Sequence, residues 1–160
     1  MAKDQNELVH ALGGNPNVPA VRMGVSQAGN LVLNGKSVTN PCVDGTIVVD
    51  PTSTSPRAIT VQLKDAAGND IDYVETVEAI VFSSSAMTAF TTTGGSTGLA
   101  IGTDGAALAL VAKKVFMLTS EADGDIDLTH TDTGTDACFL AIRLPNGKMI
   151  LADRVHTIGT

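Results

Sequence analysis

The chain of 160 residues has no tryptophan, one tyrosine (Tyr73) and four phenylalanines (Phe82, Phe90, Phe116 and Phe139). Aromatic side chains supply the largest single pieces of buried apolar surface. With so few, the interior must be filled by Ala, Val, Ile, Leu and Thr. The scarcity also counts against a carbohydrate platform, which calls for exposed rings. Apolar runs are short; none approaches the roughly 20 residues that span a bilayer as a helix. The opening MAKDQNELVH has no hydrophobic signal-peptide core, so synthesis in and assembly from the cytoplasm is expected. There are two cysteines, Cys42 and Cys138. In a cytosolic setting these are expected as buried thiols.

Positive charge is scarce as well. Ten Lys and Arg stand against seventeen Asp and Glu, a formal net charge of −7. That balance argues against a nucleic-acid surface. Lys113-Lys114 is the only basic pair and reads as a solvated strand end. The acids are mostly Asp, a turn and strand-end residue. Sixteen glycines and six prolines add the turn density of an all-β protein.

The clearest pattern lies in the last third. VFMLTS, IDLTHT, ACFLAIRL and KMILADRV are apolar runs separated by EADGD and PNG. Alternation puts Cys138, Leu140, Ile142 and Leu144 on one face, and Phe139, Ala141 and Arg143 on the other. Pro145-Asn146-Gly147 and Asp123-Gly124 mark hairpin turns of the same chemistry, both expected as primed turns. Upstream, Ala58–Lys64 and Tyr73–Phe82 read as strands joined through a turn at Asp65–Asp70. Ser83–Gly98 is small, polar and low in complexity, a mobile loop or an interstrand crossing. A further strand or bend is expected near Leu108–Val111. About seven short strands with closely spaced turns indicate a β-sandwich over residues 57–160.

Residues 1–56 read as an extended, hairpin-rich N-terminal arm. Asp4 and Glu7 have the spacing of a helix capping box, followed by Leu8, Val9 and Leu12 and stopped by Gly13-Gly14. So short a helix needs a surface to lie on. NPNVPA at 15–20 is extended. Short strands are expected at Val21–Val25, Leu31–Leu33 and Thr46–Val49, with Asn34-Gly35 as a turn. The stretch DPTSTSP at 50–56 reads as the linker between arm and sandwich.

Candidate chemistry is thin. Asp123, Asp125 and Asp127 suggest a calcium loop, but an EF-hand needs Gly at the sixth position and Glu at the twelfth. Leu128 and Gly134 stand there. His10, His130 and His156, with Cys42 and Cys138, share no zinc-ligand spacing and are expected as scattered surface histidines and buried thiols. No G-x-S-x-G elbow is present, and the glycines at 94, 95 and 98 lack the Lys-Ser/Thr ending of a phosphate loop. The residues point to no enzyme, no cofactor and no metal.

Three segments in fixed order carry a family resemblance: LKDAAGND at Leu63–Asp70, VFMLTSEADGDIDL at Val115–Leu128 and LPNGK at Leu144–Lys148. With them, the stretch from Ile59 onward resembles immunoglobulin-like β-sandwich modules of tailed-bacteriophage virion proteins. The resemblance implies a repeated, non-enzymatic virion component. Its most economical form is a capsid decoration, or cement, protein on the virion surface. Such a protein binds the major capsid protein lattice and forms a homo-oligomer, a trimer at a lattice symmetry axis being one form. In that reading Leu8, Val9 and Leu12 dock as the apolar face of a small helix, and Val18, Val21, Met23 and Val25 form a strand-adding segment. The alternatives are a tail, collar, baseplate or fibre subunit, and a host-surface or carbohydrate-binding module.

Overall fold

The computed structural model describes residues 23–25, 31–33, 36–37, 40–51, 55–134 and 136–155. Twelve strands are present among them. They are β1 (Met23–Val25), β2 (Leu31–Leu33), β3 (Lys36–Ser37), β4 (Asp44–Val49), β5 (Arg57–Lys64), β6 (Thr76–Phe82), β7 (Gly98–Ile101), β8 (Ala106–Val111), β9 (Val115–Thr119), β10 (Asp125–Thr131), β11 (Phe139–Arg143) and β12 (Met149–Arg154). The described part is all-β, with every strand pair antiparallel. No helix among the described residues is long and apolar enough to cross a membrane. The expected helix at Asp4–Leu12 lies outside the described residues.

Two sheets face one another across a common core. One has the order β4-β5-β10-β7 and the other β12-β11-β6-β9-β8. The inward residues follow the period of two that the pleat imposes. Ile59, Val61 and Leu63 of β5, with Ile126 and Leu128 of β10, meet Val77, Ala79 and Val81 of β6, Leu118 of β9, and Leu140 and Ile142 of β11. Aliphatic side chains fill this interior, as the aromatic-poor composition requires. Cys42 and Cys138 are both buried thiols, not joined to each other.

β4 lies within the stretch read as an arm, yet it pairs with β5 along its whole length, from Asp44↔Lys64 to Val49↔Ile59. The proline-rich stretch at 50–56 is therefore an intrasheet connection. The chain enters the core at Cys42, whose backbone N–H donates to the Tyr73 hydroxyl at 2.7 Å. The upstream strands form a separate three-stranded sheet, β1-β2-β3, in which Met23 pairs with Leu33 and Val25 with Leu31.

Three turns share one geometry. At Asp65–Asn69, Glu121–Asp125 and Leu144–Lys148, the first residue's carbonyl accepts from the N–H of a glycine three residues on. Its own N–H donates to the carbonyl of the fifth residue. The glycines, Gly68, Gly124 and Gly147, have φ of 84°, 80° and 86°. These are three-residue hairpin loops closed by a left-handed glycine. The primed turns expected at Pro145-Asn146-Gly147 and at Asp123-Gly124 are thereby corrected. Asn146 keeps a negative φ, because Pro145 opens the loop one residue earlier and only Gly147 must be left-handed.

Candidate interaction surface

The five-stranded sheet is one strand wider than its partner, and the surplus strand is β8. All six of its residues are exposed. Its sequence, AALALV, alternates small and large apolar side chains and carries neither charge nor proline. Gly105 (φ 94°) opens it; a Cβ there would stand 2.8 Å from the Thr119 carbonyl of β9. A tight turn closes it, with the Lys114 N–H donating to the Val111 carbonyl at 3.0 Å and Lys113 at φ 62°. The Lys113 ammonium fixes that turn by donating to the Ser96 carbonyl at 2.6 Å. β8 sits at the sheet edge, and no described strand pairs with its outer side.

Leu108 pairs with Met117 of β9, and the two share the outer face. Leu108 is 61% exposed, Leu110 50% and Met117 43%, high values for large apolar groups. Leu110 and Met117 continue into a groove of about 320 Å³ bounded by Thr76, Glu78, Arg143 and Pro145. The Arg143 guanidinium donates to Glu78 at 3.4 Å along its side. The combination is an apolar stripe, a charged margin and a free hydrogen-bonding edge. Such a surface can extend its sheet with another strand and bury the stripe in doing so.

The polar chemistry lies elsewhere. Among the described residues, Asp104, Asp125 and Asp127 form an acidic group, one carboxylate oxygen of each lying within 4.8 Å of the others. The sequence pattern proposed Asp123 with Asp125 and Asp127. The fold instead places Asp104 beside them, because Asp123 sits in the β9–β10 turn. Asp127 accepts from the Thr60 hydroxyl at 3.1 Å and from the Thr103 hydroxyl. Burial, and then the neighbouring Asp127, push the Asp125 carboxyl above its ordinary value.

A second groove, between the Thr93–Ser96 and Asp132–Asp136 segments, is lined by Thr93, Ser96, Lys113 and Asp132. Asp132 is buried, and one of its oxygens accepts from the N–H groups of Ser96 (3.1 Å) and Gly134 (2.9 Å). His130 was expected at the surface and is instead 1% exposed. Its position on β10 has the parity of Ile126 and Leu128, so the pleat turns it inward. Its Nε2 meets the Gly94 carbonyl at 3.1 Å, and Gly95 packs so closely that a Cβ there would lie 2.8 Å from the ring.

Of the docking residues expected from sequence, Leu8, Val9, Leu12, Val18 and Val21 lie outside the described residues. Met23 and Val25 lie in β1, at the edge of the three-stranded sheet. His10 and His156 also lie outside the described residues. Sequence reasoning found the core of β8 but read it as a strand or bend and missed its exposure. The missing signal is a run that is apolar on both faces in a protein with too few strands opposite to cover it.

No family model, curated protein or solved structure matches the chain. The described residues define its class: an all-β protein of two facing antiparallel sheets, with an edge strand whose outer side is paired by no described strand.

Proposed function

We propose that this protein is a non-enzymatic structural component of a tailed-phage virion, a capsid decoration protein that binds the outer capsid lattice and braces neighbouring subunits. The sandwich is read as immunoglobulin-like. The observation that carries the reading is the exposed apolar strand β8 with its neighbouring stripe of Leu108, Leu110 and Met117. A free-standing domain gains nothing from leaving these groups in water, whereas a lattice-bound one covers them. The three turn motifs that carry the family resemblance support the same reading, since they form equivalent closed loops in this fold. Leu8, Val9 and Leu12 serve as a helical docking face and Val18, Val21, Met23 and Val25 as a strand-adding segment, so that several weak contacts on one lattice bind by avidity.

The test is co-sedimentation with capsids that lack the protein, using the full chain, a chain without residues 1–24, and the Leu110→Lys variant. Saturable binding at a fixed ratio to the capsid protein, weakened by either change, supports the reading. Absence of capsid binding overturns it, and rings or tubes formed by the protein alone would assign it to the tail.

A further inference from the structure

We infer that β8 pairs with β8 of a second copy, antiparallel and centred on Leu108, joining two five-stranded sheets into one. This pairing uses the hydrogen-bonding edge of β8 and leaves the outer face of the stripe, with Leu110 and Met117, to the lattice; it concerns the protein in solution and does not depend on the virion reading.

Residues directly opposite in an antiparallel pair project to the same face. A two-fold axis at Leu108 sets Leu108 against Leu108 of the second copy, Ala107 against Ala109, and Ala106 against Leu110. Within each copy Met117 already lies beside Leu108, and Glu78 beside Met117. The row across the joined sheet becomes Glu78, Met117, Leu108, then Leu108, Met117 and Glu78 of the second copy. The exposed Leu108 and Met117 side chains of each copy thus meet in the middle, with charge at the outer ends. Ala107 and Ala109 are small, so the second backbone can approach.

Charge selects a second copy in this direction. The N-terminal end of β8 carries the acidic group Asp104, Asp125 and Asp127. Its C-terminal end carries Lys113 and Lys114. Antiparallel addition sets each acidic end beside the basic turn of the other copy, whereas parallel addition sets like beside like. Edge strands are normally protected by charge, proline or a bulge. β8 has neither charge nor proline, and its one irregularity, between Ala109 and Val111, lies toward the end of the proposed pairing.

The measurement is the mass of the full-length protein by equilibrium sedimentation across a concentration series, for wild type and for Leu108→Lys. Wild type is expected to approach twice the monomer mass. Leu108→Lys sets two ammonium groups face to face and is expected to stay monomeric with the far-UV circular dichroism spectrum of wild type and a melting temperature that no longer rises with concentration. Under mild oxidation Leu108→Cys is expected to give a covalent dimer. Ala109→Cys, displaced from the axis, and wild type, with both thiols buried, are expected not to. A wild type that stays monomeric at its solubility limit overturns the inference. So does a dimer that survives Leu108→Lys, or one that Leu108→Cys does not cross-link.

Discussion

Replacing Asp125 by Asn should stabilise the protein at neutral pH. Asp125, Asp104 and Asp127 hold their carboxylate oxygens within 4.8 Å of one another. At that distance two unit charges repel by about 0.9 kcal/mol in bulk water and about 3.5 kcal/mol at the effective dielectric of a protein surface. Asp125 is half-buried, and its Oδ1 accepts no hydrogen bond, so the amide forfeits little. A gain of about 1–3 kcal/mol is expected at low ionic strength, which for a chain of this size is a rise of roughly 2–4 °C per kcal/mol. The pH dependence fixes the cause. The folded-state pKa of Asp125 is raised, by burial first and Asp127 second, so the folded protein binds this proton more readily than the unfolded chain. The cost to stability is fully present above the raised pKa, shrinks as pH falls through it, and is gone below the ordinary value of 3.8. Thermal melts of wild type and Asp125→Asn, in chelator, at pH 7 and pH 3, with and without added salt, check this. A variant that melts lower at pH 7 refutes the reasoning. So does a gain that persists undiminished at pH 3.

Further tests address other joints of the fold. Gly124→Ala forces a left-handed alanine at φ 80° and sets its Cβ 2.5 Å from Ile71 Cγ1. A loss of about 2–4 kcal/mol in urea unfolding is expected from the two costs together. Tyr73→Phe removes the hydroxyl that accepts from the Cys42 N–H, and should cost about 1–3 kcal/mol without altering the sheet, seen as a lower urea midpoint. For Asp65, burial raises the carboxyl's pKa, but hydrogen bonds from Asn69, Ala67 and Gly68 outweigh it and hold the pKa below 3.8. Its contribution is therefore present above 3.8 and lost as pH falls through the lower folded value. Asp65→Ala should lower the melting temperature at pH 7 and change it little under strongly acid conditions.

Much of this protein is written locally. Alternation in Ala58–Lys64 and Ala137–Leu144 fixes which side chains face inward, because the pleat repeats every two residues. Asp-Gly and Asn-Gly fix the places of the turns, because glycine adopts the left-handed conformation without strain. The composition dictates an aliphatic core. The tertiary structure decided what depends on partners distant in sequence. β7, for which the sequence pattern gives no strand, becomes one because β10 offers it an edge, from Gly98↔Thr131 to Ile101↔Leu128. β4 belongs to the sandwich sheet, despite the proline-rich stretch after it, because β5 pairs with it. His130 is buried because it follows the parity of Ile126 and Leu128. Asp104 comes beside Asp125 and Asp127 only in the folded chain, and among the described residues no strand pairs with the outer side of β8. Periodicity assigns a residue to a face; which faces and edges are covered is set only when both sheets are assembled.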